Sequence, residues 1–270
     1  MKFTIGLCQL NSGDDTTANR AAAVRAIGEA ASAGARFVML PEHADYIGTV
    51  EGKRAAAQPL DESNYLQELA GCAKAHAIFL HIGSFLERRL ERIYNTAVVF
   101  APDGSRLAVY RKIHLFDVEV PGGASFRESD TISAGSEVVV VDIDGLVCGL
   151  ATCYDLRFPE LFRQLVMKGA RLLLVPAAFT MQTGRDHWEL LLRARAVENL
   201  CWLAAAGQWG TTPPNHSSFG RSMVIDPWGT IIAQVSDGVG VVVAIIDTEP
   251  QDAMRAAFPC LKHIRRDLFF

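Results

Sequence analysis

The chain has no Cys-x-x-Cys pair, and its seven histidines form neither His-x-His nor His-x-x-x-His. The spacings that mark a dedicated zinc site are therefore missing. Six cysteines, at 8, 72, 148, 153, 201 and 260, are spread over 270 residues. Disulfide scaffolds are short and cysteine-dense, so these thiols are expected to be reduced and mostly buried. No run of about 18 uncharged apolar residues occurs, which excludes a spanning helix and with it a membrane partner. Charge of one sign is also scarce: 26 Lys+Arg against 30 Asp+Glu leave a formal net charge of −4. Nucleic acid binding requires a concentrated cationic surface, and this balance argues against it. Met1-Lys2-Phe3-Thr4-Ile5 enters a strand pattern at once, leaving no stretch for a signal peptide and pointing to the cytosol.

What is present is a large core. Hydrophobic residues make up 50% and charged residues 21%, the composition of a well-buried globular protein. The length suits one large domain or two small ones. No linker, repeat or low-complexity tract divides the chain, so a single domain over 1–270 is expected. Alternation predicts strands at 3–10, 77–86, 93–100 and 106–110, with a short buried strand at 36–40. Helical spacing predicts helices over 18–33 and 61–75, the second with Asp61 as N-cap. Residues 117–135 contain Pro121, Gly122-Gly123, several charges and no period, which reads as a long lid or binding loop. Strands follow at 138–143, 147–151 and 171–175, and helices at 160–168 and 186–199. The last helix is predicted to turn His187, Leu190, Leu191, Ala194 and Val197 inward. Four more strands (201–206, 222–225, 230–234 and 239–246) complete a pattern of α/β layers.

Three positions stand out chemically. Cys153 follows the apolar run 146–151 and precedes a helix start, Tyr154-Asp155-Leu156-Arg157-Phe158-Pro159-Glu160. A strand–turn–helix step lifts a nucleophile to the rim of a sheet, where backbone N–H groups can receive an oxyanion. Glu42, in Leu40-Pro41-Glu42-His43, ends a buried strand as a poised acid or base. Lys112, in Tyr110-Arg111-Lys112-Ile113-His114-Leu115-Phe116, lies just past another strand. Each alone has an ordinary alternative: a buried cysteine, a loop carboxylate, a solvated edge charge. His43 and His114 leave a Cys–His pairing open as well.

Taken together, these segments resemble the three signature segments of the nitrilase, or carbon–nitrogen hydrolase, superfamily. The likeness continues through Pro176-Ala177-Ala178-Phe179, Thr183-Gly184, His187-Trp188-Glu189, Arg193-Ala194-Arg195-Ala196 and Asp226-Pro227-Trp228-Gly229, in order and over nearly the whole chain. The resemblance implies a four-layer αββα sandwich that assembles as a homodimer or a higher homo-oligomer. It implies Cys153 as nucleophile, Glu42 as general base and acid, and Lys112 with the backbone N–H of Tyr154 as oxyanion stabilisers. A thiol with a free pKa of about 8.5 needs such activation at neutral pH. No metal or organic cofactor is implied. The resemblance also implies a second carboxylate, Glu128 in Phe126-Arg127-Glu128-Ser129, with Glu119 as a substitute.

Around Lys112 and Cys153 the sequence is most similar to the Nit branch, which implies a small carboxylated amide, like deaminated glutathione or α-ketoglutaramate, as substrate. Arg185 and Arg221 are expected at the pocket mouth, where a bidentate arginine would select a carboxylate, with Phe179 and Tyr46 as further substrate contacts. The chain departs from the branch at Phe219-Gly220-Arg221-Ser222 and at Thr211-Thr212-Pro213-Pro214-Asn215, both at the expected rim. Nitrile hydrolysis, N-carbamoyl amino-acid hydrolysis and, outside enzymes, a non-catalytic scaffold are the rival readings.

Overall fold

The computed structural model describes residues 1–119, 125–213 and 216–269. The first third of the chain lays down one sheet from β1 (Lys2–Gln9), β2 (Phe37–Met39), β3 (Phe79–His81), β4 (Phe85–Arg89), β5 (Arg92–Phe100) and β6 (Arg106–Arg111). A hairpin, β7 (Asp117–Glu119) with β8 (Ser125–Arg127), and a short 3₁₀ turn at Glu128–Asp130 follow. A second sheet takes β9 (Val140–Ile143), β10 (Leu146–Leu150), β11 (Leu172–Ala177) and β12 (Trp202–Gly207). After the hairpin β13 (Trp209–Thr212) and β14 (His216–Phe219), the second sheet gains β15 (Met223–Ile225) and β16 (Ile231–Gln234). The last strand, β17 (Gly240–Asp247), returns antiparallel to β1, so the first sheet runs β17-β1-β2-β3-β5-β4 with β6 on β5. The second runs β16-β15-β12-β11-β10-β9. Helices are α1 (Thr16–Ser32), α2 (Val50–Ala56), α3 (Asn64–His76), α4 (Pro159–Met167), α5 (Met181–Asn199), α6 (Thr248–Ala257) and α7 (Arg266–Phe269).

Period-two alternation builds the layers. Phe3, Ile5, Leu7, Phe37 and Met39 of the first sheet meet Leu150, Leu172, Leu174 and Ala204 of the second in one core. The alternate residues Cys8, Val38 and Leu80 turn outward onto Ile27 of α1 and Leu69 of α3. Likewise Leu173, Val175 and Leu203 face Phe162 and Leu165 of α4 and Trp188 and Leu192 of α5. The order of layers is helix, sheet, sheet, helix, the expected αββα sandwich.

Several local expectations change. The helix predicted from 61 starts at Asn64, because Ser63 accepts the Leu66 N–H while Asp61 pairs with Arg106 at 2.8 Å. The segment 77–86 is two strands, broken where Gly83 adopts φ +71°. Residues 117–135 are not a structureless loop: the β7–β8 hairpin crosses them, although Gly122-Gly123 lie outside the described residues. In α5 the buried face is Trp188, Leu192, Arg195, Ala196 and Asn199. Leu190 and Val197, expected inward, are 66% and 45% exposed, because the sheet is met one residue out of the predicted phase. The helix α2 and the hairpin β13–β14 have no counterpart in the sequence reading.

Candidate active site

The carboxyl ends of β2, β10 and β11 meet where the two sheets face each other, the end of a parallel α/β array where sites are usually built. Beyond β2 the chain leaves the sheet through Leu40-Pro41-Glu42. The turn is pinned by Gly83, where a Cβ would overlap the Pro41 carbonyl oxygen, and by the His43 N–H donating to Ser84 Oγ at 2.9 Å. Glu42 is 2% exposed. Its Oε1 accepts from Asn95 Nδ2 at 2.8 Å and Lys112 Nζ at 3.1 Å, and its Oε2 from the Ala178 N–H at 2.8 Å. One carboxylate thus joins a side chain of the first sheet to backbone just past β11 in the second.

Lys112 follows β6, its N–H donating to the Asn95 carbonyl at 2.9 Å. Its ammonium also donates to Glu128 Oε2 at 2.8 Å. Glu128 is held from behind by the Phe116 N–H, at 2.7 Å on the same oxygen. The structure therefore brings Glu42, Lys112 and Glu128 together as carboxylate, ammonium and carboxylate. Glu119, exposed on β7, stays outside this cluster.

Cys153 opens a 3₁₀ turn, Cys153–Arg157, between β10 and α4. It sits at φ +50°, a left-handed conformation that costs a non-glycine residue on the order of 1 kcal/mol and must be held by its surroundings. Asp155 does this. Fully buried, its carboxylate accepts from Tyr110 Oη at 2.6 Å, Thr152 N–H at 2.8 Å, His114 N–H at 3.0 Å and His114 Nδ1 at 2.7 Å. It ties the Lys112 segment to the Cys153 turn. His114 further stacks on Phe158, ring centroids 3.6 Å apart. Among the described residues Arg157 makes no ion pair with Glu160, three residues on. Arg157 instead lies over Tyr154 and Phe179 and within 3.4 Å of His187 Nδ1.

Above these groups opens a cavity of about 260 Å³. Glu42, Lys112, Glu128, Cys153, Tyr154 and Phe179 all line it, whereas Tyr46, Arg185 and Arg221 do not. Tyr46 is packed away with Ala57, Leu86, Ile93 and Ile132, Arg185 is exposed on α5, and Arg221 pairs with Asp237 at 3.0 Å. The cations that do reach the cavity besides Lys112 are Lys53 and Arg127. Of the two rim segments that depart from the branch, Pro213 lines the cavity, while Pro214 and Asn215 lie outside the described residues.

Sequence reasoning also missed Asn95 and Asp155. Each left a trace: Asn95 is a lone amide in the strand run Ile93-Tyr94-Asn95-Thr96-Ala97-Val98, and Asp155 stands two residues after the nucleophile candidate.

Electrostatics fix the resting charges. Burial alone would raise the Glu42 carboxyl, but the Lys112 ammonium, His43, the neighbouring Cys153 thiol and the Ala178 N–H together hold it down at about 2. Burial opposes the charge on Lys112, and the Glu128 and Glu42 carboxylates more than offset it, so the ammonium persists well above its ordinary range. Burial and the Glu42 charge push the Cys153 thiol up, against the pull of Lys112. Burial brings His43 down to about 4 despite Glu42 beside it. At neutral pH the cluster holds a neutral thiol, a neutral imidazole, an ammonium and the Glu42 carboxylate. Ligand atoms of Glu42, His43 and Glu128 lie within 4.8 Å of one another. A metal ion there would compete with the ammonium already bonded to both carboxylates.

Residues 4–256 match the family described as carbon-nitrogen hydrolase. The chain belongs to that family. It is 41% identical over 272 residues to the deaminated glutathione amidase of Bos taurus, spanning 98% of this chain and 83% of that one. The crystal structure of the C. elegans NitFhit protein superposes with a TM-score of 0.92 at 38% identity, covering all of this chain and 66% of that longer one. A glutamate-to-glutamine mutant of the amidase from Nesterenkonia sp. AN1, showing the result of Michael addition of acrylamide at its active-site cysteine, superposes with a TM-score of 0.80 at 26% identity. That alignment covers 96% of this chain and 98% of that one. The protein is an enzyme of the carbon–nitrogen hydrolase family, and the described residues contain no helix long and apolar enough to cross a membrane.

Proposed function

We propose that the chain is a single carbon–nitrogen hydrolase domain that cleaves the amide bond of a small carboxylated amide through a thioester on Cys153. The observation that carries this reading is that Cys153 lines one cavity with a buried Glu42 carboxylate that is itself bonded to the Lys112 ammonium. The 41% identity to a deaminated glutathione amidase supports the choice of an amide over a nitrile or an N-carbamoyl amino acid.

In this mechanism the Cys153 sulfur attacks the amide carbon as its proton passes to Glu42. The new oxyanion is received by Lys112 and the Tyr154 N–H. A carboxylate held near 2 is a weak base, but the oxyanion draws on the same ammonium. As Lys112 turns part of its charge to the substrate, its grip on Glu42 loosens and the carboxyl becomes basic when the proton arrives. The C–N bond then breaks, Glu42 returns the proton to the departing nitrogen, and ammonia or an amine leaves. Water, deprotonated by Glu42, adds to the thioester, the C–S bond breaks and the thiol recovers its proton. Glu128 keeps the ammonium in place throughout.

Release of ammonia or amine from a panel containing deaminated glutathione, α-ketoglutaramate, N-carbamoyl amino acids and simple nitriles tests the reading. Hydrolysis confined to the carboxylated amides is the expected result, and preferred hydrolysis of the N-carbamoyl amino acids or the nitriles would overturn it. The pH profile follows from the charges. The required forms, carboxylate at Glu42 and neutral His43, are lost only well below the ordinary ranges of these groups, and the Lys112 ammonium only far above neutrality. We therefore expect kcat/KM to be flat from about pH 5.5 to about pH 9. A limb near 6.5 would mean that a histidine ionises in the reaction and would revive the Cys–His pairing.

The same reading makes the protein a cytosolic homodimer. Exposed Val197 on α5 adjoins Gly229, Leu190 is exposed seven residues earlier on the same helix, and Trp228 packs on Phe258, both more than half exposed. A group of exposed apolar side chains of this kind commonly marks a protein contact. Sedimentation is expected to give twice the 29.4 kDa chain mass, and Leu190→Glu with Val197→Glu to give monomers.

A further inference from the structure

We infer that Lys53 and Arg127 read the substrate's carboxylate, fixing it at the pocket mouth so that the amide end reaches Cys153; this rests on the amidase reading above. Five charged side chains line the cavity. Glu42, Lys112 and Glu128 are bonded to one another on the floor and sum to one negative charge. Lys53 and Arg127 enter from two different elements, α2 and β8, and add two positive charges nearer solvent. Among the described residues neither of these side chains takes part in a hydrogen bond or an ion pair, although Asp117 lies close enough to feel Arg127. His43 and His216, the imidazoles lining the cavity, are kept neutral by burial, with the Lys53 ammonium opposing their charge.

The cavity is therefore polar in one direction. A carboxylate that enters is repelled from a floor of net charge −1 and attracted to a rim of net charge +2, while Phe116, Phe126 and Phe179 supply apolar wall. A neutral amide group has no such preference. An ω-amide with a free carboxylate can thus bind productively in one orientation only, and an amide bearing an amine is disfavoured at the rim. The two cations are not equivalent. Lys53 is half-buried and Arg127 exposed, so solvent and salt screen Arg127 more strongly and Lys53 contributes most of the discrimination. Arg185 and Arg221 are absent from this lining, so the selectivity the sequence suggested shifts to a different pair.

The test compares glutaramate with pentanamide, substrates that differ chiefly in the terminal carboxylate, using the full-length protein. Wild type is expected to favour glutaramate in kcat/KM. Lys53→Met should reduce the glutaramate-to-pentanamide ratio by about 10–100-fold, through KM, as expected for loss of a charge-assisted contact. Arg127→Met should reduce it by about 2–5-fold, and Lys53→Arg should restore most of it. A measurement on wild type alone guards against variants that fold poorly. Glutarate should inhibit more strongly than pentanoate, and added salt should narrow the gap. If wild type hydrolyses glutaramate and pentanamide equally, or Lys53→Met combined with Arg127→Met keeps the wild-type ratio, the assignment of these two residues falls while the amidase reading stands. If wild type hydrolyses no amide, the amidase reading itself falls.

Discussion

Cys153→Ala is expected to lower kcat for amide hydrolysis by about 10⁴-fold or more, the scale seen when a nucleophile is removed from an intact site. The fold should be untouched, because the change removes one sulfur from a position lining a cavity and leaves the four hydrogen bonds that hold the turn at Asp155. Thermal unfolding and ammonia release, measured on the same sample, separate the two effects. Labelling gives a sharper version. The resting thiol is neutral, so a general thiol reagent should also reach the partly exposed Cys72 and Cys260. A haloacetamide, shaped like the substrate, should prefer Cys153. Substantial turnover in Cys153→Ala would require another nucleophile and would end the thioester mechanism.

The second large effect is expected at Lys112, where activity and stability fall together. Lys112→Met leaves Glu42, 2% exposed, facing Glu128 with no cation between them. Removing one partner from a buried ionic cluster typically costs about 3–5 kcal/mol, chiefly because charge is left uncompensated. The pH dependence identifies this cause. In wild type the Glu42 carboxyl is depressed from 4.5 to about 2. Its stabilisation is therefore present above the unfolded value and lost as pH falls toward 2. Without the ammonium, the two carboxylates and burial drive the folded value above the unfolded one. The deficit of Lys112→Met should then be smallest in acid and grow as pH rises. Denaturant unfolding at about pH 5 and about pH 8 measures it. A deficit independent of pH would mean that Lys112 is a packing residue, and retained activity would remove it from the oxyanion site.

How far the sequence could be read depended on whether a signal was local. The strands of both sheets were legible because alternation is imposed by the sandwich on every strand, as in Phe3, Ile5 and Leu7 against Cys8. The segments of Glu42, Lys112 and Cys153 were legible because each is a short run with distinctive neighbours. What stayed hidden was set by contacts between distant segments. Nothing near Asp155 in the chain states that it accepts from Tyr110 and His114, more than 40 residues away. The phase of α5 depended on where the second sheet meets it, so Leu190 and Val197 were placed inward. Arg185 and Arg221 were placed at the rim because they flank conspicuous segments, whereas α2, which carries Lys53, is seven residues long with no buried residue. A helix that buries nothing has no apolar period to reveal it.

The central claim, that the acyl group passes through a thioester on Cys153, is tested most directly by acid-quenching wild-type enzyme within its first turnover of a saturating carboxylated amide and mapping the peptides by mass. The mechanism requires the acyl mass on the peptide carrying Cys153 and on no other of the six cysteines. An acyl group on a different cysteine, or product formed at full rate while Cys153 remains unmodified, would contradict it.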